Sequence, residues 1–151
     1  MNERNIGKWL RIMCAALAVL GLAAAYLIPV SMIFYSGNIA PAALTVCAEL
    51  AIVCCYFALW YFYRVCLLIE QNRSFSAETA GRMRSVSRWL AAACALCLLL
   101  LVLHCIGSGM YEFFLFLLFV LFFAFASFAA NVLAVLITRA AAIQDENDLT
   151  I

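Results

Sequence analysis

The sequence predicts an all-α protein: a four-helix transmembrane bundle with the N-terminus and C-terminus both cytoplasmic. Three observations carry this. Apolar residues make up 70% of the chain and charged ones 11%, whereas soluble domains are roughly half apolar. The apolar residues gather into four stretches, 12–35, 40–63, 89–106 and 113–137, each close to the roughly 20 residues that cross about 30 Å of hydrocarbon. The nine Lys and Arg residues lie before the first stretch (Arg4, Lys8, Arg11), between the second and third (Arg64, Arg73, Arg82, Arg84, Arg88) or after the fourth (Arg139). Basic segments are poorly translocated, so these places mark the cytoplasmic side. The 151 residues form one membrane domain, with a cytoplasmic loop at 64–88 and a cytoplasmic tail at 138–151.

The first stretch has the basic start of a signal peptide and a small-residue run at Ala23-Ala24-Ala25. It continues apolar through Tyr26-Leu27-Ile28 and Met32-Ile33-Phe34, which makes it a full, uncleaved span. Cys14, Ala18, Gly21 and Ala25 put small side chains on one stripe, where a neighbouring helix can approach closely. Pro29 lacks a backbone donor and predicts a kink. The turn Ser36-Gly37-Asn38 is short, and Pro41 fits the first turn of the next helix. Helices one and two therefore pair as antiparallel neighbours.

The second helix carries Ala42, Thr45, Glu49, Ile52 and Tyr56 on a comparable stripe. In the loop, Phe75 before Ser76 reads as a hydrophobic residue preceding an N-cap, with 77–88 a basic helical lead-in to the third span. The fourth helix repeats the small and polar stripe at Ala124, Ser127, Asn131, Ala134 and Thr138, and its other faces are crowded with phenylalanine. Small and polar residues are expected to face inward and the phenylalanines to pack or meet lipid. Trp9, Trp60 and Trp89 fall at the expected cytoplasmic ends, and Tyr35 and Tyr111 at the outer ends, as interfacial aromatics do.

The eight cysteines sit in or at the ends of apolar stretches and are read as small hydrophobes. Cys94-x-x-Cys97 lies within a helix, outside the usual context of a redox motif. With His104 as the one histidine, no spacing fits a zinc site. No cofactor or metal is expected.

Two segments carry a family resemblance. The tail Ile143-Gln144-Asp145-Glu146-Asn147-Asp148-Leu149-Thr150-Ile151 resembles the C-terminus of a bacterial membrane family, domain of unknown function 2975. Its members commonly end in an acidic run followed by Glu-Asn-Asp-Leu-Thr-Ile or a close variant. The loop Ser74-Phe75-Ser76-Ala77-Glu78-Thr79 with Arg82-Met83-Arg84 is similar to the family's second signature, departing at Ser74 from the usual proline and at Thr79 from the usual asparagine. The resemblance implies a small bacterial inner-membrane protein of no established activity, often encoded beside a small helix-turn-helix regulator.

On its own chemistry the tail predicts a helix stop near Ile143, because Asp145, Glu146 and Asp148 are disfavoured at the negative end of a helix. An extended Leu149-Thr150-Ile151 would follow. Two outcomes stand open: an untethered tail, or docking of Glu146, Asn147, Asp148, Leu149 and Ile151 against Phe75, Arg82, Arg84 and Arg88. Exposed ion pairs contribute about 0–1 kcal/mol each, so docking needs the two aliphatic side chains buried as well. The basic loop residues also suit lipid headgroups, at roughly 1 kcal/mol each near an anionic surface.

Three intramembrane polar residues are candidates. Glu49 lies about 13 Å from the outer end of its helix by helical rise. Such acids face the interior and often serve function, although satisfied structural hydrogen bonding is the default. Asn131 is expected to bridge helices through its amide. His104 lies near the outer interface, about 10 Å from Glu49 in depth, so the two are not expected to pair.

The leading reading is a non-enzymatic signalling or regulatory protein of the bacterial inner membrane. Its loop and tail would contact a soluble DNA-binding regulator, with no direct contact to nucleic acid. The alternative is a small proton-coupled transporter or channel subunit using Glu49, as a homo-oligomer because four helices enclose little pathway alone. No catalytic triad, metal-ligand set or phosphate-binding glycine pattern supports an enzyme.

Overall fold

A computed structural model describes residues 3–35, 40–71, 75–105 and 110–149. Four helices account for nearly all of them: α1 (Glu3–Tyr35), α2 (Ala40–Glu70), α3 (Ala77–Cys105) and α4 (Met110–Leu149). Each contains a segment long and apolar enough to cross a membrane, namely Gly7–Leu27, Leu44–Glu70, Ala77–Leu103 and Phe116–Gln144. The short connections at 36–39 and 106–109 fall outside the described residues.

The helices pack in chain order, α1 on α2, α2 on α3 and α3 on α4. The expected bundle is therefore not a closed ring. Among the described residues α1 touches α2 alone, and α1 and α4 are the two edges of the array. The core lies along α2, α3 and α4. One cluster joins Ala58, Met83, Val86, Ala130 and Ala134, and a second joins Ala51, Cys97 and Val120. Alanines at these places let the backbones approach, which strengthens dispersion contacts where apolar side chains gain nothing by leaving lipid.

Ser76 caps α3 as expected: the Thr79 backbone N–H donates to Ser76 Oγ at 3.2 Å, and the Ala80 N–H to the Ser76 carbonyl at 3.1 Å. Glu78 stands in the first turn, where the helix dipole favours an acid. The lead-in also packs into the array, since Thr79, Ala80, Met83, Val86 and Ser87 are all buried.

Two contacts fix the register of α3 against α4. Ser87 and Ser127 exchange hydrogen bonds, each hydroxyl donating to the other residue's carbonyl at 2.9 Å. Seven residues along, the Cys94 thiol donates to the Val120 carbonyl at 3.5 Å. Carried the other way, this register sets buried Ala80 beside buried Ala134 and ends α3 level with residue 137. Phe57 stacked on Trp89 at 4.5 Å brings Glu70 to nearly the same level. The last twelve residues of α4 (138–149) thus run about 18 Å past the ends of α2 and α3.

That length overturns the helix stop near Ile143. The residues before the acids, Arg139-Ala140-Ala141-Ala142, are among the strongest helix formers. The dipole penalty of a solvated acid is only about 0.3–1 kcal/mol, too little to end the helix. Thr150 and Ile151 lie outside the described residues.

Candidate functional site

The α1–α2 seam is polar at heptad spacing. Glu49, Tyr56, Tyr63 and Glu70 recur every seven residues on α2, and three of them meet α1. Arg11 pairs with Glu70 at 2.8 Å, off the hydrogen-bond direction, with Tyr63 beside the same guanidinium. A Cβ at Gly7 would overlap the Glu70 side chain, so glycine is what admits this acid. One turn further in, the Cys14 and Cys66 thiols meet. Then the Tyr56 hydroxyl donates to the Ala18 carbonyl at 2.6 Å, in the space left by Gly21, where a Cβ would stand 3.0 Å from that oxygen. The small stripe read on the first helix is thus the seat of α2's long polar side chains.

Glu49 continues the seam toward the opposite end. Its Oε1 is buried and has no hydrogen-bond partner among the described residues. A buried acceptor without a partner is costly, and among the described residues only Glu49 and Glu70 carry such an oxygen, Glu70 with Arg11 beside it.

All four helices line an apolar cavity of about 650 Å³, which opens between the edges α1 and α4. Gly21 and Ala24 of α1, Cys55 and Phe62 of α2, Leu90 and Cys97 of α3, and Phe119 and Phe122 of α4 are among its walls. Glu49 is not one of them, although its neighbours Ala48 and Ile52 are. Among the described residues that line it, Tyr56 carries a hydroxyl, and that hydroxyl is bound to the Ala18 carbonyl.

The end that carries the termini and the α2–α3 connection is basic. Arg82 is held by Glu78 at 2.7 Å across one helical turn. Arg84, Arg88 and Arg139 are exposed, and Arg64 lies over the Trp60 ring at 5.1 Å. Exposed apolar side chains share this end: Phe75 at 57%, Leu136 at 55% and Ile143 at 60%.

The structure brings together only some of the residues singled out from sequence. Asn131 bridges no helices among the described residues. Its side chain is exposed, because the buried face of α4 runs through Val120, Ser127, Ala130 and Ala134, about one residue around from the expected stripe. Of that stripe Ser127 and Ala134 point inward, while Ala124, Asn131 and Thr138 are exposed. Thr138 satisfies its hydroxyl on the Ala134 carbonyl at 2.8 Å.

The expected docking of the tail on the arginines falls on side chains outside the described residues, and only the course of the backbone bears on it. By the register of α3 and α4, Arg84 stands level with Ala130, and a continuous helix carries the Glu146 backbone about 24 Å further. Glu146, Asn147, Asp148 and Leu149 belong to that helix, with their side chains outside the described residues, as is that of His104. Sequence reasoning missed Arg11, Glu70 and the Ser87–Ser127 pair. The heptad recurrence from Glu49 to Glu70 was the available signal for Glu70.

Four apolar helices with basic residues gathered at one end define the class, a multi-pass membrane protein. The family model for proteins of unknown function DUF2975 matches residues 3–151, and the chain belongs to that family. No curated protein and no solved structure matches it.

Proposed function

We propose that the chain is a non-enzymatic signalling or regulatory protein of the bacterial inner membrane. Its basic end faces the cytoplasm, as the charge rule requires. The α4 arm at 138–149 recruits a soluble partner. One observation supports this above the others: α4 continues as helix about 18 Å past its neighbours. Leu136 at the root of that arm and Ile143 on it are exposed, and an acidic run follows in the sequence. An amphipathic helix held clear of a bilayer is a common docking element for a groove on another protein. Phe75, level with Arg139 in the same register and exposed, widens that surface. The partner class favoured by the family resemblance is a helix-turn-helix regulator.

In-cell crosslinking followed by purification tests this, comparing the full chain, a chain ending at Asp145, and Ile143→Asp. Capture of a DNA-binding protein by the full chain, lost from both variants, is the expected result. Equal capture by all three removes the arm from the interaction.

The second reading, a proton-coupled transporter or channel subunit, is favoured by one observation, the unpartnered Glu49 Oε1. It requires flux to fall in Glu49→Gln. Unchanged flux-dependent growth in that variant rules it out.

A further inference from the structure

We propose that Arg64, Arg84 and Arg88, with Trp60, form a binding site for the phosphate of an anionic membrane lipid on the back of the helix array. The side of the array is fixed by helical spacing. On α2 the cavity is lined by Ala48, Cys55 and Phe62. The exposed residues Val53, Phe57, Trp60 and Arg64 follow one another at steps of four, three and four, on the opposite face. On α3 the cavity takes Met83, Leu90 and Cys97, and exposed Arg84 and Arg88 again lie opposite. Both faces therefore look away from the cavity, on one continuous surface.

The level of the three arginines is fixed by packing. Trp89 stacked on Phe57 sets antiparallel α2 and α3 so that Arg64 stands within one or two residues of Arg84. Arg88 is one turn nearer the middle. From Cys105, the far end of α3, to Arg84 is about 31 Å of helix, which matches the roughly 30 Å of a bilayer's hydrocarbon. Arg64 and Arg84 thus stand where lipid phosphates lie, and Arg88 reaches the same level by extending its long side chain.

The cluster has no internal counter-charge. Glu78 is held by Arg82 and Glu70 by Arg11 on the α1 side, and no carboxylate pairs with the three arginines among the described residues. Trp60 lies under the Arg64 guanidinium, a cation–π contact that orients the fork while leaving its N–H groups outward. Guanidinium groups carried near one level by two neighbouring helices suit the oxygens of a phosphodiester, which they can grip in pairs. A lipid is favoured over a free anion because the site lies flush with the headgroup layer and its floor is the indole of Trp60, a residue typical of that layer.

The test uses the purified full chain in a non-ionic detergent. Binding of phosphatidylglycerol, phosphatidylcholine and inorganic phosphate is measured on the native protein, Arg64→Gln, Arg84→Gln, Arg88→Gln and the control Arg139→Gln. Circular dichroism verifies that each variant is folded. Phosphatidylglycerol should bind best, each of the three substitutions should weaken it about fivefold, and Arg139→Gln should leave it unchanged. Equal binding of the two lipids, or equal loss in Arg139→Gln, overturns the site. Inorganic phosphate binding as tightly as the lipid would make it a soluble-anion site instead. Displacement of lipid by a peptide of residues 143–151 would make it a site for an acidic protein segment, contrary to the proposal.

Discussion

At the scale of single residues, the α1–α2 contact rests on a few polar side chains seated on small ones. Tyr56 reaches across to the Ala18 carbonyl only because position 21 is glycine. Tyr56→Phe deletes the hydrogen bond and keeps the ring. It should therefore cost about 0.6 kcal/mol, the average for a hydrogen bond between helices in membranes. Gly21→Leu should cost more, because the added side chain meets the Tyr56 ring as well as its hydroxyl. Reversible unfolding of both variants in mixed micelles checks the order. A Tyr56→Phe loss larger than that of Gly21→Leu would contradict the packing described.

The small stripe on the first helix was legible in the sequence, because spacing of three and four residues is a direct readout of one helical face. What sat on it was not. Arg11 and Glu70 are 59 positions apart, and nothing local to either predicts that they meet. Asn131 shows the limit from the other side. A polar residue in an apolar run was expected to face inward, yet the register of α3 and α4 sets it level with Met83, within about a residue of Arg84. There its amide does not need a partner helix.

At the scale of elements, α4 decides the shape of the basic end. Its final acids pointed to a stop near Ile143, and local propensity outweighed them. Among the described residues no helix packs beside the arm beyond residue 137, so its integrity is local. Proline in a helix interior costs about 3 kcal/mol, but here the loss should stay within the arm. Ala141→Pro should lower helical ellipticity by about the length of the arm while the bundle unfolds at an unchanged temperature. It should also abolish partner capture. A lower unfolding temperature would mean that the arm packs on the rest of the molecule. The start of α3 was legible in full, since an N-cap serine before an acidic first turn is a local signal. The end of α4 was not, since opposing effects of less than 1 kcal/mol decided it.

At the scale of the whole molecule, the serial array leaves α1 attached along one seam and opens a cavity between the two edges. Charge sidedness and hydropathy gave the number of helices and their order. They carry no signal about closure, because an apolar face against lipid and an apolar face against a helix look alike in sequence. Family membership covers residues 3–151 and adds no chemistry. The partner surface and the lipid site both depend on which end faces which compartment.

That orientation is tested most directly by single cysteines in a background lacking the native eight, placed at Gly37, Gln71, Ser108 and Ala142 and exposed to a membrane-impermeant maleimide on intact cells stripped of their outer envelope. Gly37 and Ser108 should label at once, and Gln71 and Ala142 only after the membrane is opened. Labelling of Ala142 from outside would contradict the account. Its failure to label even after opening would instead put the arm within the bilayer, against the register that extends it beyond.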